Sequence, residues 1–133
     1  RVLIVGLGGG GGSAAEFITR AGIGNLTIVD GDVVSITNIN RQLPALHSTI
    51  GKPKTEVVAE RLLDINPSLN LTVINEFLSP ERAWDIVTPD YDYVIDCIDS
   101  ITPKLNLILS SKRKRVKIVS CIANKGRRFD EDL

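Results

Sequence analysis

Five short apolar runs punctuate the chain: RVLIV at 1–5, LTIVD at 26–30, LTVIN at 71–75, YVIDC at 93–97 and KIVSC at 117–121. All are rich in Val and Ile and short, which predicts buried parallel strands. Between them the apolar period lengthens. Over 13–22, Ala14, Ala15, Ile18 and Ala21 recur near helical spacing, and Gly22 is placed to stop the helix. Over 55–66, Val57, Val58, Arg61, Leu62 and Ile65 share one mainly apolar face that ends before Pro67. Two further helices are announced at their starts, by Ser79-Pro80 and by Thr102-Pro103. Each pairs a hydroxyl able to accept from a free amide with a proline suited to the first turn. The alternation predicts an α/β, Rossmann-like fold: a doubly wound, mainly parallel sheet with helices on both faces. A single domain over residues 1–133 holds all of it, and its abrupt start on a strand predicts a domain truncated at both ends.

Charge narrows the function by what it withholds. Sixteen basic and sixteen acidic residues cancel, so no global field draws the chain to nucleic acid or to an acidic membrane. No stretch approaches the roughly 18 continuous apolar residues of a membrane span. Cys97 and Cys121 lie in apolar runs without the paired spacing of a zinc site or the density of a disulfide scaffold. They read as core residues in a protein of the reducing cytoplasm.

The first chemical signal is GLGGGG at 6–11, in which Gly6, Gly8 and Gly11 satisfy G-x-G-x-x-G between a strand and a helix. Bare backbone there lets amides approach phosphate oxygens at the helix's positive end. Asp30 closes the second strand about twenty residues later, where a carboxylate accepts from ribose hydroxyls. Taken alone, the glycine run is equally a flexible turn; with Asp30 it predicts a nucleotide. Which nucleotide stays open, because a nicotinamide enzyme uses the same pieces.

Asp32, Asn38, Asn40, Arg41 and Gln42 follow the second strand, on the sheet edge where ligands of this architecture bind. A dinucleotide needs little further positive charge there, whereas a triphosphate needs more. Arg41 offers a planar fork for phosphate and Lys54 a mobile point charge, although each taken singly is equally a solvated surface residue. Asp99 offers the hard oxygen that Mg2+ takes when it bridges a carboxylate to phosphates, while Asp96 reads as a strand-end cap.

GLGGGG, VDGD, TNINRQ, GKPK and DCIDS occur in the order and spacing of the ATP-binding domain of the ubiquitin-activating-enzyme superfamily (ThiF/MoeB/HesA type), a resemblance running from Val2 to Ser120. Within it, ITNINRQLPAL, AERLLDINP and YDYVIDCIDSITPK most resemble the tRNA threonylcarbamoyladenosine dehydratase branch. The resemblance implies ATP and Mg2+ as cofactors, with the Gly8, Gly9 and Gly11 amides on phosphates and Asp30 on ribose. It further implies that Asp32, Asn38, Arg41, Gln42, Lys54 and Ser100 surround the nucleotide and that Asp99 holds the metal. Arg41, Lys54 and Asp99 are then the catalytic set. The implied chemistry is ATP-dependent cyclisation of a threonylcarbamoyl-modified adenosine in tRNA, through an acyl adenylate and with net loss of water, by a homodimer.

Three other readings stay open: adenylation of the terminal carboxylate of a ubiquitin-like sulfur carrier, nicotinamide oxidoreduction, and a noncatalytic nucleotide-binding or dimerisation module. The Arg41, Lys54 and Asp99 set speaks against nicotinamide chemistry. Gly10 stands where the superfamily usually has a larger apolar residue, which predicts a looser turn, and the residues after Ser120 match it only loosely. The basic cluster KRKRVK at 112–117 either meets tRNA phosphates or forms a solvated helix end leading into a buried strand. His47, the sole histidine, reads as a helix-edge residue rather than a general base.

Overall fold

Parallel strands cannot turn directly into one another, so each strand reaches the next through a crossover, and all four crossovers carry an α-helix. The computed structural model describes residues 1–35, 42 and 45–121. In chain order they form β1 (Val2–Val5), α1 (Gly10–Arg20), β2 (Asn25–Val29), a 3-10 turn (His47–Thr49) leading into α2 (Lys54–Ile65), β3 (Asn70–Ile74), α3 (Pro80–Ile86), β4 (Tyr93–Asp96), α4 (Ile101–Arg113) and β5 (Lys117–Ser120). The five strands form one sheet in the order β3-β2-β1-β4-β5, every pair parallel. Val5 is level with Val29 on one side and with Asp96 on the other, so the carboxyl ends of β1, β2 and β4 share one rim.

Side chains of β1 and β2 alternate between two cores. Leu3, Val5 and Val29 pack with Val94, Ala83, Val87 and Leu107 on the α3/α4 face. Val2, Ile4, Leu26 and Ile28 pack with Ala15, Val58 and Leu62 on the α1/α2 face. This is the doubly wound sheet expected from the alternation of apolar runs. The expectation of five buried strands holds only for the three inner ones. β3 and β5 are edges, and Val73 and Val119 are 41% and 51% exposed. A β-branched run marks a pleated surface, not its burial.

Two helix starts differ from expectation. α1 begins at Gly10 rather than at Ser13, so the glycine run is itself the helix's first turn. α4 begins at Ile101, with Ser100 flanking it, so Thr102 lies inside the helix and caps nothing, while Pro103 still sits in the first turn. Ser79 behaves as predicted: its hydroxyl accepts from the Arg82 amide at 3.1 Å, with Pro80 as the first helical residue. Among the described residues, no helix is long and apolar enough to cross a membrane.

Candidate functional site

Because α1 covers one face between β1 and β2 while α4 covers the other between β4 and β5, a crevice opens above the end of β1. Open α/β sheets bind ligands at this kind of reversal. The crevice holds about 380 Å3, and Gly6, Gly8, Asp30, Asp32, Gln42, Lys54, Asp99 and Ser100 all line it. Residues predicted from five separate stretches thus meet in one cavity. Asn38 and Arg41, with Asn40, lie outside the described residues.

The glycine turn is built by close approach. Gly6 adopts φ 92°, and a Cβ on it would fall 2.4 Å from the Cys97 carbonyl oxygen. A Cβ on Gly11 would lie 1.7 Å from the Gly6 carbonyl oxygen. Gly9 precedes α1 at φ 52°. Gly11 is buried in α1, and its amide donates to the Gly8 carbonyl at 3.2 Å. Its place is to bring helix and strand together, and the cleft wall itself is formed by Gly6 and Gly8. Gly10 faces open space, so its missing side chain shapes nothing around it.

Asp30 ties this turn to the next strand. Its Oδ2 accepts from the Leu7 amide at 2.7 Å and its Oδ1 from the Asp32 amide at 2.8 Å. A carboxylate has about four lone-pair sites, so acceptor capacity remains for a ribose hydroxyl. Lys54 is the first residue of α2 and only 5% exposed. Its ammonium reaches Asp32 Oδ2 at 3.4 Å, its one partner among the described residues. A buried ammonium carries three donors and is costly to leave under-satisfied. Opening onto the cleft, it is suited to an anion. The Gln42 amide lies against Gly8, and its Oε1 is buried with no partner among the described residues.

The cleft's own charge is the wrong sign for a bare polyphosphate. Asp30, Asp32, Glu76 and Asp99 line it with Lys54 as the single cation among the described residues, although Glu76 is paired with Arg82 at 2.7 Å. A polyphosphate therefore requires added positive charge. No group of three or more metal-ligating side chains occurs among the described residues. An exposed carboxylate such as Asp99 fits Mg2+ held by one protein oxygen and by substrate phosphates.

Asp96 is fully buried and structural: Lys104 Nζ donates to its Oδ2 at 2.6 Å, and the Ile98 amide to its Oδ1 at 2.9 Å. Cys97 lines the cleft, and burial first, then the neighbouring Cys121 thiol, push its pKa up to about 12. It stays a protonated thiol at neutral pH and is no nucleophile. Cys121 is exposed rather than in the core, because it follows an edge strand. His47 opens the exposed 3-10 turn away from the cleft lining.

Sequence reasoning missed the wall contributed by β3. Phe77 is 74% exposed at the cleft, and its backbone amide lies where a Cβ on Gly31 would come within 2.3 Å. The signal was present, an aromatic residue just beyond one strand's carboxyl end and a glycine just beyond the adjacent strand's, but only pairing places the two together.

The chain is similar in sequence and in fold to known proteins. The chain is 45% identical over 119 residues to the tRNA threonylcarbamoyladenosine dehydratase of Haemophilus influenzae, covering 90% of this chain and 46% of that one. It is 38% identical over 120 residues to the molybdopterin-synthase adenylyltransferase of Escherichia coli, covering 90% and 48%. The crystal structure of the E. coli tRNA N6-threonylcarbamoyladenosine dehydratase, TcdA, in complex with ATP superposes with a TM-score of 0.86 at 43% identity, covering 90% of this chain and 49% of that chain. The chain thus spans about half the length of the curated relatives it matches. Residues 1–126 match the family model described as the ThiF family. A match over nearly all of its residues places the chain in that family: it belongs to the ThiF family.

Proposed function

We propose that this chain is the ATP-binding part of an enzyme that cyclises N6-threonylcarbamoyladenosine in tRNA, with net loss of water, through an acyl adenylate. The observation that carries this reading is the buried Lys54 ammonium opening onto the same cleft as the glycine turn, Asp30 and Asp99. The greater identity to a tRNA threonylcarbamoyladenosine dehydratase than to a molybdopterin-synthase adenylyltransferase favours tRNA as substrate.

The phosphates lie over the glycine turn and the start of α1, where helix amides lack internal partners. Asp30 accepts from the ribose, which leaves the base to run outward toward Phe77. Lys54, Gln42, Arg41 and Asn38 are assigned to the triphosphate, while Asp32 holds the Lys54 ammonium in place. Ser100 stands next to Asp99, which holds Mg2+. That ion supplies charge neutralisation when bound. The threonylcarbamoyl carboxylate attacks the α phosphorus and pyrophosphate leaves; a nitrogen or oxygen of the same substituent then closes the ring and releases AMP. Fixed donors of this kind act on charge that develops as pyrophosphate departs, and removing one costs about 100-fold to 1000-fold in rate. Lys54→Ala and Arg41→Ala are each expected to fall in that range while retaining the fold. Near-parental turnover in both variants would remove their assigned roles.

The second reading, adenylation of a sulfur carrier's terminal carboxylate, uses the same site and is favoured by similarity to the sulfur carrier protein ThiS adenylyltransferase of E. coli, at 38% identity. Pyrophosphate release measured with modified tRNA, with a carrier protein and with neither separates the two. Release in no arm would leave a noncatalytic nucleotide-binding module. The protein acts in the cytoplasm, as a homodimer.

A further inference from the structure

We infer that Lys104 is a positioning residue for the turn that carries Asp99 and Ser100. The inference deepens the reading above, since it rests on that turn facing a metal-bearing phosphate chain. Lys104 lies on the first turn of α4 and is 9% exposed. Its ammonium joins three segments: it donates to Asp96 Oδ2 at the end of β4 at 2.6 Å, and to the Cys121 carbonyl just past β5 at 2.9 Å. The other oxygen of the same carboxylate accepts from the Ile98 amide at 2.9 Å. One carboxylate therefore links the Ile98 amide, inside the 97–100 turn, to Lys104 on the helix that follows the turn, and that carboxylate is itself oriented by Lys104.

Stability alone does not call for such a pair, because well-packed apolar side chains of similar volume generally stabilise a core at least as well. What an apolar pair cannot do is hold the Asp96 oxygens in a fixed direction, with one aimed at the Ile98 amide. Nor can it cross-link the ends of β4 and β5 to the helix that follows the turn. Asp99 and Ser100, like the rest of that turn, line the cleft. Groups that orient a metal ligand from behind typically account for about 10-fold to 100-fold in metal affinity.

The test compares three forms of the intact chain: the parent, Lys104→Met, and the double variant Asp96→Asn/Lys104→Met. The double variant removes both buried charges and keeps an acceptor for the Ile98 amide. Two quantities are read on the folded fraction, namely hydrogen exchange at the Ile98 amide without nucleotide and the Mg2+ concentration giving half-saturation of ATP binding. Lys104→Met is expected to lose Ile98 protection and to raise the half-saturating Mg2+ about 10-fold to 100-fold. The double variant is expected to melt near the parent yet keep a raised Mg2+ requirement, which a purely stabilising pair would not produce. Parental Mg2+ dependence in either folded variant overturns the inference, and so does parental Ile98 protection in Lys104→Met. Should the parent bind no ATP, the functional reading fails, and Ile98 exchange alone then decides whether Lys104 holds the turn.

Discussion

Adjacent glycines in one run have opposite obligations. A methyl on Gly11 collides with the Gly6 carbonyl, whereas one on Gly10 meets nothing within 4 Å. Gly11→Ala is expected to destabilise by at least the roughly 1–3 kcal/mol typical of overpacking, and Gly10→Ala to stabilise by about 0.5–1 kcal/mol through helix propensity. Thermal melts of the two variants check both signs, and equal effects would contradict this geometry. The G-x-G-x-x-G spacing was legible in the sequence, but which carbonyl each glycine faces was not, because that depends on where β4 lies. For the same reason both cysteines read as core. With Cys97 half-buried and its thiol pushed up to about 12, while Cys121 is exposed, alkylation at pH 7 should modify Cys121 and spare Cys97. Peptide mass mapping after brief labelling reads the outcome, and preferential Cys97 modification would refute the assignment.

At the scale of elements, helix starts divide into those set by local chemistry and those set by packing. Ser79 caps α3 through its own hydroxyl, so Ser79→Ala should cost about 1 kcal/mol in chemical denaturation. Thr102→Ala should cost much less, because the same Ser/Thr-Pro signature at 102–103 lies inside α4. The dipeptide marks a first turn without fixing its phase. Helices α1 and α2 are joined by Glu16, which accepts from Arg61 at 3.1 Å and from Arg20 at 2.8 Å. Arg61 first, then Arg20, hold the Glu16 carboxyl below its ordinary 4.5. A carboxyl depressed in the folded state stabilises fully above its unfolded value, and that contribution is lost as pH falls through the folded value. Glu16→Gln should therefore melt lower than the parent at pH 7, and the gap should shrink as pH drops below about 4.5. A constant gap would show that Glu16 acts by packing alone. Arg61 was placed by sequence on an otherwise apolar face, and this ion pair with α1 is the reason for it.

For the whole molecule, strand order was the decisive quantity, and periodicity does not contain it. Alternating apolar runs showed that strands and helices would layer. They did not show that β1 lies between β2 and β4, which brings the glycine turn, Asp30 and Asp99 to one crevice. The sequence motifs supplied that association through the general ligand edge of an open parallel sheet and through family resemblance. Topology also places the basic cluster at 112–117 at the end of a helix. α4 leads away from the crevice for about 20 Å at 1.5 Å per residue, so Lys112 and Arg113 lie at the far end. There Lys114 donates to the Trp84 and Val87 carbonyls. Lys114 thus serves the end of α3, while Lys112 and Arg113 sit favourably at the negative end of α4. The central claim concerns one atom, the α phosphorus of ATP, left open to a carboxylate by groups gathered on one rim. It is tested most directly by supplying tRNA whose threonylcarbamoyl carboxylate carries 18O and weighing the nucleotide product. The account predicts pyrophosphate and AMP that has gained one labelled oxygen; ADP with inorganic phosphate, or AMP without label, would contradict it.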